Sequence, residues 1–296
     1  MRVTTKNLMN NYLRNLNGNL VQLQKYQNQM SSGKEILKPS DDPFGTIRAM
    51  DLDTSIKQND QYHKNIEDSL GWIGMTESAL GNMTDTLQRA RELTVYGSNG
   101  TLSDNDMKAI GEELKQIISQ VAEVGNTNYD GRYVFAGQAT SSTPFEVVND
   151  EIQTSPNTTG NLKREISENV TMDINVSGER LMNDSGESLS TTLKNVYDRL
   201  MNGDNSALSS DSIAKLDEQI DNVLGLRAEM GAKFNRLESA KVRNEAQNLN
   251  MTELYAKTID IDIAEKVMQY SMMESVYQAS LATGGKILQP TLLNYL

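Results

Sequence analysis

Apolar residues recur in alternating steps of four and three near the start of the chain. The positions are Met9, Leu13, Leu16, Leu20, Leu23, Gln27 and Met30. Gln27 alone is polar. This spacing places the side chains on one stripe of a helix and is typical of a coiled-coil seam. Gly33 follows as a candidate left-handed helix stop, so the pattern predicts one long helix that ends just before it.

A second helix is predicted to begin near Pro43. Asp41 or Asp42 can cap it, and proline suits the first helical position, where its missing N–H group costs nothing. The apolar stripe of this helix consists of Ile66, Leu70, Ile73, Leu80 and Leu87. A turn at Asn99-Gly100 ends it. Hydrophobic spacing therefore continues through much of the first third of the chain.

A third helix is predicted after that turn. Ser103 and Asp106 resemble a capping box, in which each side chain bonds to the backbone of the other. The stripe that follows consists of Met107, Ile110, Leu114, Ile117, Val121 and Val124. After Gly125 the spacing is no longer helical.

The middle of the chain alternates apolar and polar residues, as strands do. We interpret 128–131 as a turn. Phe145–Val147 and Ile152 flank an Asn149-Asp150 turn signal and predict a hairpin. The clearest predicted strand alternates Val170, Met172, Ile174 and Val176 with polar residues. These patterns predict a small β-rich insert over residues 138–182.

Helical spacing returns at Leu189. We predict a short helix that ends near Gly203 and a long helix that begins at Ile213, with the polar residues 244–250 linking it to the last helix. The last helix carries the stripe Ile259, Ile263, Val267, Tyr270, Tyr277 and Leu281. A second stripe holds Ala264, Met268, Met272, Ser275 and Ala279. Gly284-Gly285 is predicted to break this helix.

The predicted fold is mainly α, with long coiled-coil-like helices from both termini forming a helical rod and a small β-rich domain inserted in the middle. We divide the chain into an N-terminal assembly helix, two halves of the helical rod around the insert, and a C-terminal assembly helix. The boundaries are 1–40, 41–137, 138–182, 183–250 and 251–296.

The terminal helices carry more apolar surface than one partner helix can cover, because the last helix has two apolar stripes. Burying one Leu or Ile side chain contributes about 1.5–3 kcal/mol, so exposed stripes favour association. We expect an assembly interface in which the first group of residues packs against the second, in the same or neighbouring subunits. The groups are Met9, Leu13, Leu16, Leu20 and Leu23, and Ile259, Ile263, Val267, Tyr270, Tyr277 and Leu281.

Composition excludes several classes of function. The net charge of -12 argues against a nucleic-acid partner, which requires a basic surface. There is no Cys, which excludes disulfides and thiolate chemistry. We find no apolar run of signal-peptide length at the start. No apolar stretch of about 18 residues is present, so no membrane partner is expected. The chain has one His and no Cys, so it offers almost none of the residues from which a catalytic triad is built. We therefore predict no enzyme, no catalytic or metal site and no cofactor.

Three short patterns could suggest chemistry. His63 and Glu67 have a spacing that two metal ligands could use, but no third ligand is evident, and a solvated helix face explains them better. The pair Asp41-Asp42 is better explained by helix capping than by acid–base catalysis. Gly284-Gly285-Lys286 lacks the rest of a phosphate-binding loop, and we interpret it as a helix stop.

Several segments at both ends resemble the bacterial flagellin family. Residues 29–43 read Gln-Met-Ser-Ser-Gly-Lys-Glu-Ile-Leu-Lys-Pro-Ser-Asp-Asp-Pro and resemble the signature at the end of the first flagellin helix. The other similar segments are Arg91-Glu-Leu, residues 98–104, Asp262-Ile-Ala-Glu, residues 277–282 and residues 286–290. Their occurrence together and in order is highly specific.

Two features resemble the hook–filament junction type of this family more than filament flagellin. They are Asn128–Gly137, where flagellins usually carry Phe-Asn-Gly, and the ending 289–296. The resemblance implies a structural adaptor in the extracellular bacterial flagellum, exported by the type III apparatus without a cleaved signal peptide. Implied partners are further copies of the chain, a hook-side hook-associated protein, flagellin on the filament side and an export chaperone.

Two other functions stay open at this point. Filament flagellin itself would share the same terminal motifs and would differ in copy number. A cytoplasmic coiled-coil scaffold would share the apolar stripes and would have no role in motility.

Overall fold

The computed structural model describes residues 2–156, 158–183 and 187–287, with side chains at 6–285 of these ranges. Long helices dominate it, and the strands are short. In chain order the elements are α1 (Arg2–Ser32), α2 (Pro43–Gly97), α3 (Asp104–Gly125), β1 (Asn128–Tyr129), β2 (Arg132–Tyr133), β3 (Phe145–Val148), β4 (Glu151–Thr154), β5 (Lys163–Ser167), β6 (Val170–Asp173), α4 (Gly178–Asn183), α5 (Leu189–Asn202), α6 (Asn205–Ala207), a π-helical turn (Leu208–Ser212), α7 (Ile213–Ile259) and α8 (Ile263–Ile287). The predicted mainly α fold with a small central β region is confirmed.

Local capping chemistry sets several helix ends. Asp42 Oδ1 accepts hydrogen bonds from the backbone N–H groups of Phe44 and Gly45, at 3.1 and 3.0 Å, and so caps α2. The predicted capping box of Ser103 and Asp106 is present at the start of α3. Gly33 ends α1 with φ +71°, a left-handed conformation that glycine adopts without strain. The predicted ends of these helices are therefore confirmed.

The chain forms two compact units. The first comprises the residues up to Gln58 and from Asn248 onward, and the second comprises Asn59–Gln247. In the first unit, α1 and α8 pack against each other along their length. Its buried apolar side chains among the described residues are Ala49 and Ile259. The five segments proposed from the sequence stay a prediction.

The second unit holds the main hydrophobic core. Side chains from α2, α3, α5 and α7 fill it, and the hairpins add Phe145, Ile152, Ile166 and Met172. The largest fully buried side chains include Phe135, Ile66, Ile73, Leu80, Met83 and Leu114. Asn126 joins α3 to β3, because its amide exchanges two hydrogen bonds with the backbone of Phe145, at 2.8 and 3.1 Å. The Trp72 and Tyr129 rings meet edge to face, with 6.0 Å between centroids.

The β region consists of three antiparallel hairpins, β1–β2, β3–β4 and β5–β6. The predicted hairpin around Asn149-Asp150 is confirmed, since Phe145 pairs with Thr154 and Val148 with Glu151. Both turn residues have positive φ, as a tight hairpin turn requires. The predicted strand from Val170 to Val176 is shorter in the structure, ending at Asp173.

Two predicted breaks are wrong. Residues 244–250 do not link two helices, because α7 runs through them to Ile259. Asn244 is buried there and exchanges hydrogen bonds with Asn59 across α2 and α7. Gly284-Gly285 lies inside α8, where Gly284 packs beneath the Tyr12 ring. The short helix α4 was not predicted, and the ending 289–296 lies outside the described residues.

Candidate assembly surface

The first and last helices form an antiparallel hairpin. The Tyr12 hydroxyl donates to the Ser280 carbonyl at 2.9 Å, and the Asn19 amide donates to the Ser280 hydroxyl at 3.2 Å. Farther along the pair, the Lys266 ammonium lies 5.6 Å from the centroid of the Tyr26 ring. As residue numbers rise in α1 they fall in α8, so the helices run in opposite directions.

The inward side chains of this hairpin repeat in steps of four and three on both helices. On α1 they are Tyr12, Leu16, Asn19, Leu23, Tyr26 and Met30, and on α8 they are Lys266, Tyr270, Met273, Tyr277, Ser280 and Gly284. Most of them are half-buried. The seam is therefore polar and aromatic as well as aliphatic. A Cβ atom at residue 284 would overlap the Tyr12 ring, so any other residue at that position requires the ring to move.

A clasp of hydrogen bonds joins the segment after α1 to the segment before α8. We use "clasp" for Gly33–Glu35 and Ile259–Ile261 with the side chains that bond to them. The Glu35 N–H group donates to the Ile259 carbonyl at 2.6 Å, and the Ile261 N–H group donates to the Gly33 carbonyl at 3.2 Å. Lys34 and Asp260 form an antiparallel bridge between these bonds. The two segments that carry the sequence motifs of the chain ends therefore bind each other.

Buried side chains on both sides support the clasp. Gln29, which is fully buried, donates from Nε2 to the Glu35 carbonyl at 2.7 Å. Lys266 pairs with the Glu35 carboxylate at 2.8 Å. Asp262 Oδ1 accepts from the N–H groups of Ala264 and Glu265, at 2.9 and 3.2 Å, and so caps α8 immediately after the clasp.

The predicted interface residues fall into two groups in the structure. Half-buried or buried residues are Leu16, Leu20, Leu23, Ile259, Tyr270 and Tyr277. Exposed residues are Met9, Leu13, Ile263, Val267 and Leu281. The structure brings Leu16, Leu23, Tyr270 and Tyr277 together inside one chain, whereas the exposed group has no cover within it. Ile263, for example, is 67% exposed.

The uncovered apolar side chains extend beyond the predicted set. We use "assembly surface" for the exposed apolar residues of α1 and α8, namely Leu8, Met9, Leu13, Val21, Ile263, Val267, Met268, Met272, Val276 and Leu281. Each aliphatic side chain of this size contributes about 1.5–3 kcal/mol when it is buried. Many exposed apolar side chains on one pair of helices are typical of surfaces that bind proteins.

Sequence reasoning missed part of both sets. Tyr12, Asn19 and Gly284 line the seam, and their four-and-three spacing was present in the sequence. The adjacent leucine stripe concealed it, because Leu16 and Leu23 belong to both series. Val21 on the assembly surface has no periodic signal.

Several charged groups away from the clasp form pairs at the surface. The hydrogen bond that Lys57 donates to Asp53 raises the pKa of Lys57, and the hydrogen bond that Lys241 donates to Glu67 lowers the pKa of Glu67. His63 Nε2 lies 3.4 Å from Glu67 Oε1. Among the described residues, no three His, Cys, Asp or Glu side chains are placed to hold a metal ion. None of the helices in the described ranges is long and apolar enough to span a bilayer.

Comparison with known proteins identifies the family. The model of the bacterial flagellin N-terminal helical region matches residues 3–140, and that of the C-terminal helical region matches residues 213–296. The chain belongs to the flagellin family. Proteins of this family are structural components of the flagellum. The N-terminal match contains Gly33–Glu35 of the clasp, and the C-terminal match contains Ile259–Ile261.

Individual relatives cover nearly the whole chain. The flagellar hook-associated protein 3 of Escherichia coli (strain K12) is 28% identical over 303 residues, with 95% of each chain covered. The flagellin of Bacillus subtilis (strain 168) is 27% identical over 292 residues, covering 95% of this chain and 94% of its own. The crystal structure of Bacillus cereus FlgL is 26% identical, with a TM-score of 0.59, and covers 70% of this chain and 99% of its own. The resemblance seen in the sequence, to hook-associated members of the family, is confirmed.

Proposed function

We propose that this flagellin-family protein is the structural adaptor that polymerises at the junction between the flagellar hook and the filament. The single observation that carries the proposal is the exposed apolar assembly surface on the α1–α8 hairpin. The clasp holds the two helices together in one subunit, while their outward apolar side chains are left for other subunits to cover. The similarity to hook-associated protein 3 over 95% of the chain supports the position at the hook.

The partners follow from this position. Copies of the chain contact one another around the junction, a hook-associated protein binds on the hook side, and flagellin binds on the filament side. Before assembly, a chaperone in the cell covers the assembly surface, because free apolar helices of this kind aggregate. The chain is exported by the flagellar type III apparatus to the cell exterior without a cleaved signal peptide. It has no catalytic role.

The predicted interface residues have two roles in this proposal. The inward group, including Leu16, Leu23, Tyr270 and Tyr277, holds the hairpin of one subunit. The outward group of Met9, Leu13, Ile263, Val267 and Leu281 contacts neighbouring subunits. Burial of the outward group on assembly provides the free energy of polymerisation.

Immunogold labelling of intact flagella tests the proposal. An antibody against this chain is expected to label one spot between hook and filament, and a deletion strain is expected to carry hooks without attached filaments. Label along the whole filament would instead identify the chain as the filament subunit, a function that the similarity to B. subtilis flagellin also allows. Label confined to the cytoplasm would overturn both.

A further inference from the structure

A groove with both apolar and polar walls lies beside the clasp in the first unit. Its volume is about 210 Å³, and its walls come from the segment after α1, the start of α2 and the end of α7. The residues that line it include Leu37, Ala49, Met50, Asp53, Tyr255 and Ile259. Met50 is 64% exposed, so part of this wall is open to solvent.

Among the side chains that the structure describes in the first unit, Phe44 is the most exposed large apolar one, at 86%. It stands in the first turn of α2, where the cap from Asp42 fixes its backbone. Gly45 packs against the Ile36 side chain, which further holds this turn in place. Phe44 is therefore an outward ring on a rigid support. Ile47, one turn later, is also exposed.

Phe44 cannot occupy the groove of its own chain. Successive residues of an α-helix are rotated by about 100°, so Thr46, Ala49, Met50 and Asp53 lie about 120–180° around α2 from Phe44. These four residues form the α2 wall of the groove. The ring and the groove thus lie on opposite sides of one helix. A contact between them requires two molecules and can repeat from copy to copy.

We infer that Phe44 of one copy inserts into the groove of a second copy, where it contacts Leu37, Met50 and Tyr255. This inference rests on the polymerisation proposed above and identifies one of its contacts.

Size and charge support this occupant. A cavity of about 150 Å³ holds a benzene molecule, so 210 Å³ accepts one phenyl ring. Arg48 follows Phe44 by one turn and forms no ion pair within the described part of the chain. The groove presents the Asp53 carboxylate, whose partner Lys57 is exposed. Arg48 beside the inserted ring can therefore approach Asp53 of the second copy.

A photo-crosslinker at residue 44 tests the contact directly. Full-length protein with p-benzoylphenylalanine in place of Phe44 is mixed with ¹⁵N-labelled wild-type protein, polymerised at high concentration and irradiated. The expected product is a mixed-isotope dimer cross-linked from residue 44 to Leu37, Met50 or Tyr255. Polymer without cross-links, or with cross-links only to other segments, would overturn the inference and leave the proposed function intact.

Two variants measure the contribution of the contact to assembly. Phe44→Ala and the groove-filling Met50→Trp are each expected to raise the critical concentration for polymerisation at least about tenfold, as loss of one buried phenyl group implies. Leu249→Ala, which removes a similarly exposed apolar side chain outside the groove, serves as the control.

Phe44 is exposed, so Phe44→Ala is expected to melt at the wild-type temperature. Polymerisation of Phe44→Ala at the wild-type concentration would contradict the inference, as would an equal loss in Leu249→Ala. A wild-type chain that never self-associates would overturn the inference together with the proposed polymerisation.

Discussion

Lys266 of α8 and Glu35 of the clasp form an ion pair, with 2.8 Å between Nζ and Oε2. Lys266 is only 9% exposed, whereas Glu35 retains access to water. A lysine so far from solvent requires a compensating carboxylate. The pair therefore connects the two ends of the chain, and its loss would leave a buried charge without a partner.

Removing the carboxylate is expected to loosen the clasp. Glu35→Gln leaves the Lys266 charge without its partner and lowers the free energy of unfolding of the first unit by about 1–2 kcal/mol, less than for a fully buried pair because Glu35 is half-exposed. Hydrogen exchange at residues 34–36 and 263–268 measures the effect. Glu253→Gln, which breaks the exposed pair with Lys257, is the control and should change exchange little. Equal exchange in Glu35→Gln and wild type would show that the pair is dispensable.

The buried pair of Asn59 and Asn244 makes a second prediction. The Asn244 amide donates to Asn59 Oδ1 at 2.6 Å, and the Asn59 amide donates to the Asn244 carbonyl at 2.9 Å. Asn244→Leu leaves the buried Asn59 Oδ1 atom without its hydrogen-bond donor and should destabilise the second unit by about 1–3 kcal/mol in urea unfolding. The double variant with Asn59→Leu should recover most of that loss, since both polar groups are then absent. If the double variant lost as much free energy of unfolding as the two single variants together, this interpretation of the pair would be contradicted.

Much of the fold was predictable because capping and turn chemistry is local. Asp42 at the start of α2, the capping box of Ser103 with Asp106, and the Asn149-Asp150 turn each depend on neighbouring residues. The structure confirms all of these. Such features need only a few adjacent side chains and backbone groups, which a single sequence displays directly.

The predicted helix breaks that were wrong lie at positions whose conformation depends on residues far away in the chain. The polar residues around Asn244 read as a link, but Asn59, 185 residues away, provides the hydrogen bonds that keep Asn244 inside a helix. Gly284 read as a helix stop, but the Tyr12 ring occupies the space that its missing side chain leaves. Neither partner is visible from the local sequence.

The assembly surface was predicted only in part, because the sequence displays the periodicity of a helix but not the pairing between helices. Periodicity identified the apolar stripes of α1 and α8, including Leu13 and Ile263. It could not separate residues that face the partner helix from residues that face outward, because two overlapping stripes share Leu16 and Leu23. The hydrogen bonds from Tyr12 and Asn19 to Ser280 define which stripe faces inward.

The capping box of α3 makes the second unit sensitive to acid. Hydrogen bonds from the Ser103 hydroxyl and N–H group hold the pKa of Asp106 below its ordinary value of 3.8. A carboxylate whose pKa is lower in the folded chain stabilises it above the unfolded pKa, and this contribution is lost as the pH falls through the folded value. Asp106→Asn should therefore be less stable than wild type at about pH 7, and the difference should narrow at a pH below the ordinary Asp pKa of 3.8. Urea unfolding at both pH values measures it. A difference that widens in acid would contradict the assignment.

The assembly surface is expected to be sensitive to oxidation. Met268 and Met272 are 66% and 64% exposed, whereas Met83 and Met107 are buried. Peroxide converts an exposed thioether to a polar sulfoxide and releases water, so oxidised subunits should stay folded and fail to polymerise. Mass spectrometry locates the added oxygen, and sedimentation measures assembly. The variant Met268→Leu with Met272→Leu should lose less of its assembly after the same treatment than wild type, because of the exposed contact methionines only Met9 and Met50 then remain to be oxidised. Unchanged assembly of oxidised wild-type protein would count against an intersubunit role for this part of α8.

The proposed polymerisation depends on apolar side chains that one subunit leaves uncovered and neighbouring subunits bury. Ile263→Asp tests it most directly, because Ile263 is 67% exposed and makes no contribution to the seam. The variant should melt at the wild-type temperature and be exported, yet give no immunogold spot at the hook–filament junction, while Ile263→Leu retains the spot. A normal spot in cells that carry Ile263→Asp, or a large loss of thermal stability in the isolated variant, would contradict the account.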